Sequence, residues 1–320
     1  MIAKVELHVH LEGTAPPELI RRLAERNGRP LPEGVFADAD RFAYTDFLDF
    51  LDTYDRVAGV IRTGEDYRDI TFEYLASCAS DGAIYVELIV SPDHAAFVGL
   101  SGSEHLGGIA RGIDDARRDH GIEARVLIVA VRNFGVEQAI AVARYAASRP
   151  HPYVVGFNLA GDEANYPAGK FAEAFAIAHD AGLGCTAHAG EWDGPSSVWA
   201  ALDLPVTRIG HGVRAIEDPV LVEELARREV VLECCPTSNV VLGLYDSFED
   251  HPLPRLRAAG VRTTLGSDDP PYFGASIGGE YEICRERFGF DDHDLRAISR
   301  TAVEAAFCEE TLKERLIQRV

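Results

Sequence analysis

The chain has 320 residues, 47% of them hydrophobic and 26% charged, enough for one large barrel or two ordinary domains with an extensive core, and a composition that argues against wholesale disorder. Fifty-two acidic residues against 31 basic ones leave a formal charge of −21, which repels phosphate backbones and anionic lipid and makes a nucleic-acid or membrane-surface partner a poor expectation. The six cysteines are scattered with no CxxC pair, and there is neither a signal-peptide pattern nor a run of roughly 18 apolar residues, so free thiols and a cytoplasmic location are expected.

In chain order, the first strand-like run is 4–11 (KVELHVHL). The stretch 14–82 that follows exceeds one crossover helix and is expected to hold extra helices near the mouth of the fold. Within it, 46–61 reads as amphipathic, with Phe47, Phe50, Leu51 and Tyr54 as core first and pocket lid second. Further strand-like runs lie at 83–90, 124–131, 153–160, 182–188, 207–211, 229–235 and 262–268. Helical apolar spacing occupies 138–148, 170–181, 218–228 and 252–259 between them, and 291–320 reads as a packing helix. Eight strands alternating with helices and no linker predict an α/β fold, a single (β/α)₈ TIM-type barrel domain over 1–320 with extra helices inserted after the first strand. An open doubly wound sheet is the runner-up.

Side chains that do chemistry in such a barrel project from the C-terminal strand ends. There stand His8 and His10, which strand alternation puts on one face, then His188-Ala189-Gly190-Glu191, His211 between two glycines, and Ser267-Asp268-Asp269-Pro270. Each alone has an ordinary explanation as a packed histidine or a helix-capping turn. Their coincidence at strand ends points to a common site. Three imidazoles and a carboxylate (His8, His10, His188, Asp268) suit one Zn²⁺ with a position open for water, and a structural zinc would instead be closed by four ligands rich in cysteine. No lysine stands in 153–160 to bridge a second metal. Glu191 and His211 remain as an acid and base pair beside the metal, which favours hydrolysis. The other histidines, His94, His105, His120, His151, His179, His251 and His293, fall away from the strand ends and read as packing or surface, and Trp192 as pocket wall or packing.

The motifs HVHLEG (8–13), LAGDE (159–163), HAGE (188–191), GHG (210–212), CPTSN (235–239) and SDDP (267–270), in that order, give a sequence that resembles the adenosine deaminase family of the amidohydrolase superfamily from about residue 4 to residue 274. The resemblance implies a barrel with one zinc per chain held by His8, His10, His188 and Asp268, and Glu191, His211 and Asp268 as the catalytic set. It further implies that Glu191 protonates N1 of the purine, that His211 orients and deprotonates the zinc-bound water, and that Asp269 and the Gly161 N–H meet N7 and N3. His10 and Glu12 complete the substrate contacts, with Glu12 placed to meet a ribose 5′-hydroxyl. Two departures bear on the sugar: HLEG stands where many adenosine deaminases read HLDG, and Asn158 replaces an aspartate common before LAG. HLEG and CPTSN look closer to the bacterial adenine deaminases. The expected activity is hydrolytic deamination of adenosine and 2′-deoxyadenosine to inosine plus ammonia; the alternative is an adenine or N6-substituted adenine deaminase, with AMP disfavoured by the charge. Rival readings are another zinc hydrolase, against which HAGE and SDDP argue, and an inactive barrel acting as a binding module. The expected partner is a small purine, and a homo-oligomer is not indicated.

Overall fold

The computed structural model describes residues 2–320. Eight strands, β1 (Lys4–His10), β2 (Ala83–Val90), β3 (Glu123–Val131), β4 (Val154–Ala160), β5 (Gly184–Ala189), β6 (Arg208–His211), β7 (Val231–Cys234) and β8 (Arg262–Leu265), pair in parallel in sequential order. The ring is completed just beyond β8, where the His10 N–H donates to the Asp268 carbonyl at 3.0 Å and the Asp268 N–H to that of His8 at 3.2 Å. The fold is a (β/α)₈ barrel, and one expected metal ligand sits at its closure.

The strands are buried on both faces, which is why they read as continuous apolar runs rather than alternating ones. In β2, Val86, Leu88 and Val90 join the core under the outer helices, whereas Tyr85 and Ile89 belong to separate clusters and Glu87 is buried against Arg208. The interior is charged near its base. Arg208 pairs with Glu87 and Glu233, each at 2.6 Å, and its guanidinium lies 3.6 Å from the centre of the Phe307 ring. Phe307 explains why the segment expected as one C-terminal helix is two, Asp292–Ala305 and Glu310–Ile317. Between them the chain leaves the helix so that Phe307 can plug the barrel floor, its N–H donated to Glu87 at 2.6 Å. Gly184 makes the space: a Cβ there would lie 2.2 Å from that ring.

The long stretch after β1 holds three helices, α1 (Pro17–Arg26), α2 (Phe47–Ala58) and α3 (Gly64–Ser80). The Asp46 carboxylate accepts the Asp49 N–H to start α2, and a reciprocal Thr63–Asp66 capping box starts α3. The 170–181 segment opens as a 3₁₀ turn, Ala168–Phe171, before its helix, Ala172–Asp180. All six cysteines are free and buried. Among the described residues no helix is long and apolar enough to cross a membrane.

Candidate active site

A cavity of about 640 Å³, open mouth included, lies at the C-terminal end of the barrel, where β1, β4, β5, β6 and β8 deliver His10, Gly161, His188 with Glu191, His211, and Asp268 with Asp269. Helix α2 covers it through Phe47, Leu51, Tyr54 and Asp55. Phe47 also stacks on Trp192 at 4.6 Å, so the tryptophan braces the lid.

His8, His10, His188 and Asp268 bring their ligand atoms within 4.8 Å of one another. Their hydrogen bonds show which atoms remain free. His8 Nδ1 faces Glu233 at 2.8 Å, which leaves its buried Nε2 as a lone pair without a partner. His188 Nδ1 faces the Leu159 carbonyl at 3.1 Å, so its Nε2 lone pair points at His10 Nε2, only 3.2 Å away. The His8 and His188 lone pairs, His10 Nε2 and Asp268 Oδ1, which lies 3.4–3.5 Å from His8 and His10, converge on one space, a donor set that fits a metal ion. Gly210 is needed beside them, since a Cβ there would come within 2.8 Å of the His8 ring.

The supporting groups are as specific as the ligands. Ser238 Oγ donates to Asp268 Oδ2 at 2.7 Å. Glu163 accepts the backbone N–H groups of Gly190, Glu191 and Trp192, which fixes the HAGE turn. Asn239 meets His211 Nδ1 at 3.2 Å and is itself held by His251. His211 and Asp268 both adopt left-handed backbone, φ 58° and 64°, a conformation that non-glycine residues keep only when their surroundings enforce it.

Glu191 lies 3.6 Å from His211 Nε2. Burial, with Asp268 and Glu163 nearby, pushes its carboxyl well above the usual carboxylate range, which favours the protonated acid over the carboxylate. Burial and the adjacent Asp268 do the same to Asp269. Burial lowers His211 to about 3 and keeps its imidazole neutral.

Glu12 is the departure. It does not line the cavity: its carboxylate accepts the Ser91 N–H at 3.1 Å, with Tyr67 Oη at 3.4 Å, and so holds the turn after β2 from behind. What occupies the mouth instead is a histidine expected to be mere packing. His94 meets Ser91 Oγ at 2.7 Å and Asp55 at 2.8 Å and ties the barrel to α2. His251 was likewise expected to be packing, and no role attached to Glu233 or Glu163. The CPTSN and LAGDE motifs were signals for Ser238, Asn239 and Glu163; nothing local marks His94 or His251.

The adenosine deaminase family model matches residues 3–320. The chain belongs to the adenosine deaminase family. This makes it a hydrolase acting on a cyclic amidine carbon–nitrogen bond. Within the family, the adenine deaminase of Rhizobium leguminosarum bv. trifolii is 48% identical over 320 residues, covering all of this chain and 99% of that protein. The crystal structure of adenine deaminase from Arthrobacter aurescens superposes with a TM-score of 0.92 at 31% identity, over 100% of this chain and 98% of that one. An amidohydrolase from Burkholderia ambifaria with bound zinc gives 0.88 at 26% identity, over 98% and 88% of the two chains.

Proposed function

We propose that this member of the family hydrolyses free adenine to hypoxanthine and ammonia. The observation that carries the base over the nucleoside is the fate of Glu12: the acid expected to meet a ribose hydroxyl is turned onto the Ser91 N–H behind the cavity wall. The adenosine preference expected from the sequence gives way to this reading, which the 48% identity to a relative named adenine deaminase also supports.

In this reading His8, His10, His188 and Asp268 hold one Zn²⁺, the zinc-bound relative having a related fold. Bound there, zinc would supply the Lewis acidity that makes water a nucleophile at neutral pH. Glu191 gives its proton to N1, which withdraws electrons from C6. Asp269, whose protonated form is favoured by burial and by the neighbouring Asp268, donates to N7. The Gly161 N–H faces N3, and at φ 102° this turn requires glycine. Glu163 keeps the acid in place through the backbone of its turn. Oxygen bonds to C6 and the 6-amino group leaves as ammonia.

Ammonia release and the ultraviolet shift, followed on zinc-loaded protein with adenine, N6-methyladenine, adenosine, 2′-deoxyadenosine and AMP, test the proposal. Adenine should give the highest kcat/KM. An advantage for either nucleoside would restore the adenosine reading, and turnover of none would remove both.

A further inference from the structure

His211 and His251 are joined by a chain of hydrogen bonds whose direction is set at one end by a backbone group. The Leu253 N–H lies 3.2 Å from His251 Nδ1, and a backbone N–H can only donate. His251 Nδ1 is therefore an acceptor, and the proton of this imidazole sits on Nε2. That Nε2–H faces Asn239 at 3.1 Å, so the amide must present its oxygen to it. The amide nitrogen is then left facing His211 Nδ1 at 3.2 Å, and it can only donate. His211 Nδ1 accepts, and a neutral His211 carries its proton on Nε2, the atom turned toward Glu191 Oε2 at 3.6 Å and Asp268 Oδ2 at 4.0 Å. The chain is shielded: His251 and Asn239 are buried, and the His251 ring lies 5.8 Å from the Phe288 ring, nearly parallel to it.

We propose that His251 and Asn239 are positioning residues that lock His211 in its Nε2–H tautomer, so that His211 acts on the reacting oxygen as a hydrogen-bond donor and not as the acceptor of the water proton. The role that the family resemblance implies for His211, deprotonating water, needs a bare Nε2, which the Asn239 N–H at Nδ1 forbids. The donor role, unlike the tautomer itself, rests on the deaminase reading above. The proton balance closes without a basic His211. Glu191 gives its proton to N1 and the water oxygen bonds to C6. One water proton passes through a carboxylate facing Nε2, Asp268 or Glu191, to the departing amino group, and the C6–N6 bond breaks to release ammonia. The second water proton returns to Glu191, and N1–H stays in the product. Oriented donors of this kind stabilise charge developing on oxygen without reorganising. A buried partner that selects one imidazole tautomer is a common means of fixing such a role.

Long-range ¹H–¹⁵N correlation spectra of zinc-loaded protein labelled at histidine, with His211 assigned through a His211→Asn variant, read the tautomer directly. The expected result is a protonated Nε2 and a bare Nδ1 at neutral pH. A bare Nε2, or a doubly protonated ring, would overturn the proposal. Asn239→Asp presents only oxygen to His211 Nδ1 and should invert the tautomer, lowering kcat on adenine at least tenfold with KM and zinc content little changed. An unchanged tautomer in this variant would remove Asn239 from the lock, and an inverted tautomer with undiminished kcat would remove the donor role. Absence of deaminase activity in the parent protein would instead strike the functional reading, leaving the spectrum to decide the tautomer alone.

Discussion

Glu191 and Glu163 occupy neighbouring turns and are held in different ways. Glu163 uses its oxygens to accept three backbone N–H groups of the HAGE turn, whereas Glu191 has no such partners and burial raises its carboxyl, favouring the protonated form. Glu191→Gln keeps the shape and removes the transferable proton, so turnover of adenine should fall roughly 10²- to 10⁴-fold, the usual worth of a positioned acid, with metal content unchanged. Glu233 acts one step further out, orienting His8 through Nδ1 while Arg208 and Thr186 hold its other oxygen. Glu233→Gln should weaken zinc binding about 10- to 100-fold in competition with a chelator, the range typical of groups that orient metal ligands. The ligand-type residues were legible because each stands at a strand end in a short motif. His94 and His251 were not, because their partners are made by folding: His94 reaches Asp55 across 39 positions, and His251 reaches Asn239 across 12, from the other end of an intervening loop. Glu12 misled because its motif fixes the residue type but not the side-chain direction, and the N–H that takes its carboxylate lies 79 positions away.

The helix Pro236–Val241, which carries Ser238 and Asn239, rests on Glu280 of the helix Ile277–Glu286, whose carboxyl receives the Thr237 N–H at 3.2 Å. Burial raises this carboxyl from 4.5 to about 8. The folded protein thus holds a proton that the unfolded chain releases above pH 4.5, so folding stability falls as pH rises from about 4.5 to about 8 and this contribution is level outside that window. The slope is at most about 1.4 kcal/mol per pH unit. Glu280→Gln cannot ionise and should lose that slope, so denaturant unfolding of parent and variant should diverge most at the alkaline end, with the variant the more stable there. Strand positions were legible to within a few residues because buried parallel strands are continuous apolar runs. The break at Phe307 was not, because the helical pattern continues through it and the cause is an aromatic plug meeting Arg208 and Glu87 on distant strands.

Across the whole molecule, the barrel core is built from apolar strands and helices, and the cluster of candidate metal ligands sits at one end of it. Chelation should therefore abolish turnover while the far-ultraviolet circular dichroism keeps its barrel signature, with activity restored by about one equivalent of zinc; collapse of that signature would make the metal structural. The fold was legible as a whole because eight strand-like runs alternate with helices and their ends carry the polar motifs. Base against nucleoside was not, since it turns on which way Glu12 points and on what fills the mouth.

That choice is tested most directly by competition: equimolar adenine and adenosine offered together to zinc-loaded protein, with hypoxanthine and inosine quantified from the same sample at low conversion. Hypoxanthine should dominate at least a hundredfold, and inosine at equal or greater yield would contradict the assignment to the free base.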